Sequence, residues 1–192
     1  MNLSKKAHLS ELREYINSSA KDGLTDRHRV LKEILDCWNK KQSLLRFACF
    51  LEEDSDRVVQ SFVAEAFAYA NDTKVLRHLM KAAIAPNNSN YNSTFIWPCA
   101  NYDCTKHLKF FINYISKNND PSEAMLACVE VIKEMKGPFE PNSLKKNVRT
   151  LLSSNKASVH DEFRALRELL RTQAAYALLD KYFDQVNKEC KA

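Results

Sequence analysis

Apolar residues recur along most of the chain at spacings of three and four positions, which is the period of an amphipathic α-helix. The run from Val58 to Phe67 is typical, because most of its apolar positions fall on one side of a helix. Short polar links rich in Asn, Ser and Asp separate such runs. The pattern predicts an all-α protein, built as a right-handed α-solenoid of about five stacked antiparallel helix pairs in a single domain over residues 1–192.

The same pattern predicts core residues and helix starts. Phe62, Leu79, Phe111 and Ile132 lie within strongly periodic segments, and we expect them to be buried. Other residues expected on buried faces are Val58, Phe163 and Leu166. A long last helix is expected from Ser158 onward, and one break in it is left open. Residues expected at helix starts are Ser55, Thr73, Asp103 or Thr105, Asp120 and Ser143.

The stretch from Pro86 to Cys104 interrupts the helical pattern in the middle of the chain. An Asn- and Ser-rich link leads there into a short apolar segment, Ser93 to Tyr102, which contains Pro98. Because proline lacks an amide hydrogen, we expect it to kink or shorten this helix. The stretch is predicted to form the turn region of a central helical hairpin.

Composition supports this interpretation. The chain of 192 residues has only two glycines and five prolines, too few for the many tight turns of sandwiches and βαβ folds. No apolar run approaches the roughly 20 residues of a membrane span, and Met1 to Lys21 has no apolar core of a signal peptide. The six cysteines, at positions 37, 49, 99, 104, 128 and 190, show no close paired spacing. We therefore expect free thiols and a cytoplasmic location.

Charge is distributed unevenly around a net value of +5. Residues 73–119 contain six bases and a single acid, Asp103, whereas residues 141–159 contain four bases and no acid. Acids are concentrated around Glu52 to Asp56 and between Glu123 and Glu134. If consecutive helix pairs stack, the bases could share one surface that suits an acidic partner. The alternative, an ordinary solvated face, stays equally open.

Two segments, Ile84 to Ile96 and Tyr102 to Ile112, resemble a family of small bacterial HEAT-like repeat proteins. The family pattern is an Asn-rich turn after proline, then Gly-Thr-Leu, then an aromatic-Asp-Cys-Ser run with a His two residues further on. The pattern is kept at Asn87, Asn90, Thr94, Asp103, Cys104 and His107, and departs from the family at Ser93, Phe95 and Thr105, which replace its Gly, Leu and Ser. The resemblance extends from Val75 to Met135.

Several proteins of that family are immunity proteins of polymorphic or contact-dependent growth inhibition toxin systems. The resemblance implies a non-enzymatic module that binds a cognate toxin domain and neutralises it by steric occlusion. We expect no cofactor, no metal and no membrane, and the basic segments favour a partner with an acidic patch over a nucleic acid. The residues expected to contact the partner are Tyr91, Trp97, Tyr102, Lys106, Lys109 and Lys117.

A nucleic-acid-binding protein, including a HEAT-like DNA glycosylase of the alkyl-base type, is the first alternative. Basic residues, tryptophan and tyrosine are available for it. Base chemistry would need an acid in an aromatic-lined cleft, and Asp103, near Trp97 and Tyr102, is the candidate.

An enzyme or metal centre around Cys104 is the second alternative. Cys104 and His107 are three residues apart and would share a helical face as a nucleophile pair, with Cys99 as a further metal ligand. No set of oxyanion donors accompanies them, and the spacing fits no standard zinc pattern. The simpler interpretation is structural: Asp103 caps a helix, Cys104 packs, and His107 bonds the Asn-rich turn.

Overall fold

A computed structural model of the protein describes residues 9–10, 12–14, 16–17, 44–52, 56–117, 123–153 and 163–190. Within these ranges the regular structure is helical and no strand occurs, which confirms the all-α prediction. No helix among them is both long and apolar enough to cross a membrane. The helix expected around Val30 to Trp38 and the helix starts expected at Ser55, Asp120 and Ser158 lie outside the described residues.

The chain divides into two compact units, Met1–Pro98 and Cys99–Ala192. The α-helices described in the first unit are α1 (Cys49–Glu52), α2 (Arg57–Ala68), α3 (Val75–Ala83) and α4 (Asn92–Ile96). Short 3-10 helices cover Leu44–Phe47, Pro86–Asn88 and Trp97–Asn101. Helix α1 packs against α2 and α3, and α4 packs against α2 and α3. The short helix expected at Ser93 to Tyr102 is thus an α-helix that ends at Ile96 and continues as a 3-10 helix through Pro98.

Helix α2 shows why these segments fold as they do. The Asp56 carboxylate accepts a hydrogen bond from the Val58 amide at 2.9 Å and so caps the helix start. Apolar side chains at positions 59, 62, 63, 66 and 67 then form a buried stripe. Val58 was expected in that stripe, but it is 58% exposed. Because neighbouring side chains on a helix point in different directions, the stripe takes Val59 and leaves Val58 in solvent.

The second unit contains the described helices α5 (Leu108–Lys117), α6 (Glu123–Glu134), α7 (Pro141–Leu152) and α8 (Arg164–Glu189). A 3-10 helix, Thr105–His107, leads directly into α5. Helix α5 packs against α6 and α7, and the long α8 packs against the same two helices. The core of this unit therefore lies among four helices.

The 26-residue α8 is continuous over its described length, without the break that the sequence analysis left open. Phe163, which directly precedes α8, and Leu166 within it were expected in the core but are 56% and 44% exposed, so that expectation is wrong. The buried face instead includes Arg167 and Arg171 beside several alanines and leucines. Arg171 donates a hydrogen bond to the Ser116 carbonyl at 2.9 Å, at the C-terminal end of α5. The leucine pattern was misleading because charged side chains take part of the buried face.

Helix α7 begins earlier than expected. Its first residue is Pro141, and the Glu140 carboxylate accepts hydrogen bonds from the amides of Asn142 at 2.9 Å and Ser143 at 2.6 Å. Ser143 therefore lies inside the helix and does not cap it. Proline is favoured at the first helical position because its missing amide hydrogen has no helical partner there. Helix α3 begins at Val75, two residues later than expected.

Truncation of core residues tests this assignment of buried faces. The four residues expected in the core, Phe62, Leu79, Phe111 and Ile132, are each at most 2% exposed. We expect any one Ala substitution to lower the free energy of unfolding by about 2–5 kcal/mol, because it removes buried surface and leaves a cavity. Chemical denaturation measures this. The control, Phe183→Ala, removes the same ring as Phe111→Ala from a site that is 60% exposed, and should cost under about 0.5 kcal/mol.

Candidate partner-binding site

The Asn-rich turn of the first unit is built around a buried amide. Asn88 is 2% exposed, and its side-chain nitrogen donates to the Ala82 carbonyl at 2.9 Å and to the Leu51 carbonyl at 3.5 Å. Its side-chain oxygen accepts a hydrogen bond from Arg57 at 2.5 Å. Because a buried polar group is costly unless it is hydrogen-bonded, this set of partners accounts for asparagine at this position.

Arg57, at the start of α2, holds the outer part of the same turn. Its guanidinium donates to the Gln60 side chain at 2.7 Å and to the backbone carbonyl of Asn87. It also lies 4.4 Å from the centroid of the Tyr91 ring, a cation–π contact. Tyr91 is 47% exposed. One of the residues expected to bind a partner is therefore presented at the surface with its ring held against a fixed cation.

The two other aromatic candidates differ in exposure. Trp97 is partly buried, whereas Tyr102 is 8% exposed. Trp97 belongs to the first unit and Tyr102 to the second. Tyr102 therefore offers a partner little surface. A role for these aromatic residues in partner binding stays a prediction.

Asp103 and Thr105 form a hydrogen-bonded corner in the second unit. One Asp103 carboxylate oxygen accepts from the Thr105 amide at 3.1 Å, the Thr105 hydroxyl at 2.6 Å and the Lys136 amide at 3.2 Å. The Thr105 hydroxyl oxygen accepts from the Gly137 amide at 3.0 Å. Gly137 has a φ of +80°, which glycine adopts without strain. Burial works to raise the pKa of Asp103, but the hydrogen bonds from Thr105 and Lys136 outweigh it and lower the pKa.

Cys104 lies inside the second unit and has the environment of a packing residue. It is fully buried, and its thiol donates to the Cys99 carbonyl at 3.3 Å. Burial, with a smaller effect from the Asp103 charge, raises the pKa of Cys104 to about 12. Burial also raises the pKa of Cys99 and of Cys128. Thiols in this state are protonated at neutral pH, whereas a nucleophile or metal ligand must be a thiolate.

The second alternative also included a metal centre formed by Cys99, Cys104 and His107. In the part of the chain that the structure describes, no group of three or more His, Cys, Asp or Glu side chains could hold a metal ion. The set of Cys99, Cys104 and His107 is therefore not brought together as a ligand cluster.

A basic cleft of about 390 Å³ lies between α5 and α7 in the second unit. The exposed Lys106 and Lys109 line it from the α5 side, and the exposed Lys146 lines it from α7. Asn113 and Asn147 add amide groups. The cleft is also lined by three largely buried apolar residues, Leu108, Ile112 and Phe139. We call this feature the α5/α7 cleft.

Positive charge dominates the surroundings of the α5/α7 cleft. The exposed Lys145 and Arg149 line a shallow depression next to Lys146 on α7. Glu140 also lines the cleft, and hydrogen bonds from the Asn142 and Ser143 amides lower its pKa. Its negative charge therefore stays at the N-terminal end of α7, where the helix dipole favours it.

The α5/α7 cleft joins parts of the sequence that the sequence analysis kept apart. Lys106 and Lys109 belong to the basic segment 73–119, and Lys146 belongs to the basic segment 141–159. Lys117 is exposed but does not line the cleft. Lys146 was not among the residues expected to bind a partner. The lack of acids between residues 141 and 159 was the signal that could have included it.

Comparison of this chain with protein-family models, curated proteins and solved structures found no match.

The corner at Asp103 makes stability depend on pH. A carboxylate whose folded pKa is below its ordinary value of 3.8 stabilises the fold above that value, and the contribution is lost as the pH falls through the lower folded pKa. We expect Asp103→Asn to lower the melting temperature at pH 7, and its difference from the parent to shrink below about pH 4. Asp180→Asn, at an exposed site on α8, is the control. If Asp103→Asn lowered the melting temperature by the same amount at pH 7 and at pH 3, this role of Asp103 would be contradicted.

The buried thiols predict a pattern of chemical labelling. Maleimide should modify the exposed Cys190 quickly in the folded protein and Cys104 only after unfolding, because Cys104 is buried and protonated. Mass spectrometry of the labelled peptides measures both sites in one sample. Cys104→Ser should also leave partner binding intact. Equal labelling of both sites in the folded protein would contradict this prediction and support a reactive Cys104.

Proposed function

We propose that this chain is a non-enzymatic protein-binding module, and specifically an immunity protein that binds a cognate bacterial toxin domain and neutralises it by steric occlusion. The observation that carries the proposal is the α5/α7 cleft, where lysines from two separate basic segments lie together at the surface. The toxin as partner comes from the family resemblance of the Asn-rich turn and of the segment around Asp103.

The charge of the cleft supports a partner with an acidic patch. Opposite charges on two proteins steer their encounter and raise the association rate. The exposed ammonium groups of Lys106, Lys109 and Lys146 contribute little to stability, so a role in binding accounts for their grouping better than a role in folding. A basic site that covers an acidic surface of a toxin would exclude the toxin's substrate without any chemical step.

We also propose that the helices form a HEAT-like α-solenoid in a single domain, and that the protein acts in the cytoplasm. Antiparallel pairs of neighbouring helices are the unit of such a stack. Within the second unit, α5 packs against α6 and α7 packs against α8, as consecutive pairs require. No disulfide joins the described cysteines, which agrees with a reducing compartment.

The structural roles of the motif residues also support a scaffold over an enzyme. Asn88 satisfies three buried hydrogen-bonding positions, and Asp103 accepts three hydrogen bonds at an exposed corner. A glycosylase would need an acid that faces a base among aromatic rings. Asp103 is instead hydrogen-bonded to Thr105 and to the Lys136 amide, and Tyr102 is buried.

Charge reversal tests the binding surface. We expect Lys106→Glu, Lys109→Glu and Lys117→Glu together to slow association with a cognate toxin domain, because the attraction becomes repulsion. The parent's association rate should fall with salt, since the Debye length is about 8 Å at physiological ionic strength. Stopped-flow kinetics at two salt concentrations measure both effects, and circular dichroism checks the fold.

The matched control reverses three lysines elsewhere in the second unit, Lys133, Lys181 and Lys188, with the same change in net charge. This control should associate faster than the first triple variant. Equal rates for parent and test variant, with no salt dependence of the parent, would place the interface elsewhere.

A further inference from the structure

The α5/α7 cleft combines two kinds of chemistry in one small space. Its basic groups are Lys106, Lys109 and Lys146, and none of them forms an ion pair with another described residue. Its apolar part, the apolar floor, includes the exposed Pro138 and Leu108, which is 8% exposed, whereas Ile112 at 2% exposure offers almost no surface. A ligand that satisfies both parts must carry negative charge and apolar surface close together.

The size of the cleft limits what can enter. Its volume of about 390 Å³ lies near the low end of the roughly 300–1,000 Å³ of ligand pockets. Several side chains fit such a space, but a whole helix or strand pair does not. The amide groups of Asn113 and Asn147 can donate to and accept from the backbone of a chain that lies there. A short protein segment therefore matches the cleft in size and in hydrogen-bonding groups.

The side chains that line the cleft favour a peptide over a nucleic acid as its ligand. Phosphates would match the lysines equally well, but bases bind proteins by stacking on exposed aromatic rings. The aromatic residue of the cleft, Phe139, is 5% exposed and presents almost no ring face. The exposed ring of Pro138 beside Leu108 instead suits an aliphatic side chain.

We propose that the α5/α7 cleft binds a short acidic segment of the partner protein, in which one aliphatic side chain lies against Pro138 and flanking carboxylates reach Lys106, Lys109 and Lys146. This rests on the proposed function only in taking the segment from the toxin. The binding chemistry itself follows from charge complementarity and from the apolar floor, and can be measured without the toxin.

The first test uses a synthetic peptide as the probe. Acetyl-Asp-Glu-Leu-Asp-Glu-amide is titrated into the isotope-labelled full chain, and amide shifts are followed by NMR. We expect saturable shifts at residues 106–113 and 143–150. Replacing Leu with Gly should weaken binding, and replacing every acid with its amide should abolish the shifts. Shifts at these residues with ten-nucleotide oligothymidine but not with the peptide would overturn the proposal in favour of a nucleic acid. No shift with either probe would also overturn it.

A pair of neighbouring lysines supplies the matched control. Lys145 and Lys146 are both exposed on α7, but Lys146 lines the cleft and Lys145 does not. We expect Lys146→Glu to weaken peptide binding about tenfold, because a charge reversal at short range is worth more than a kcal/mol, and Lys145→Glu to weaken it less. An equal loss of peptide affinity in both variants would show that the peptide is attracted to the charge of α7 in general and does not bind in the cleft, and would overturn the proposal.

Blocking the cleft tests it without a change of charge. Asn147→Trp places a large side chain in the cleft, whereas Asn142→Trp adds the same ring on α7 outside it. The first variant should lose peptide binding and the second should keep it, with equal melting temperatures confirming that both fold. Retained binding by Asn147→Trp would overturn the proposal.

An assay of toxin neutralisation, compared with peptide binding, distinguishes failure of this inference from failure of the proposed function. Peptide binding at the cleft by a protein that neutralises no toxin would keep the site and reject the immunity role. Neutralisation that is unchanged in Lys146→Glu and Asn147→Trp would keep the immunity role and reject the cleft as its site.

Discussion

The Asp103 carboxylate joins the two parts of the chain that form the basic cleft. It binds Thr105, just before α5, and the Lys136 amide, in the link that leads to α7. Thr105 extends the corner to Gly137 through its own hydroxyl. Both walls of the α5/α7 cleft therefore start from one hydrogen-bonded point. This corner adds to the direct packing of α5 against α7, and together they place the lysines on one surface.

The exposed lysines of the cleft contribute little to the stability of the second unit, so other residues must supply it. Apolar residues supply most of the stabilisation, since side chains such as Phe111 on α5 and Ile132 on α6 are fully buried. The two buried arginines of α8 work in the opposite sense: burial, together with the neighbouring Arg167, lowers the pKa of Arg171. The hydrogen bond from Arg171 to the Ser116 carbonyl offsets part of the cost of burying this charge.

Much of the fold could be predicted from periodicity, and much of the site could not. The buried faces around Phe62 and Phe111 follow from the helical spacing of large apolar residues, which few other arrangements satisfy. The start of α7 was missed because Glu140 is a less common capping residue than Ser or Asp. The partnership of Lys109 with Lys146 depends on tertiary packing between distant segments, and no local pattern contains that information. Sequence therefore located the basic residues but not the surface that they form.

Glu140 gives the α5/α7 cleft two unlike ends. Its carboxylate is fixed where α7 begins, and Lys146 lies six residues further, about 9 Å along the helix axis. The electrostatic potential therefore changes along the length of the cleft as well as across its mouth. A chain placed in such a gradient does not have the same energy in its two directions. A segment and its reversed sequence, identical in composition and net charge, are for this reason different ligands for this protein.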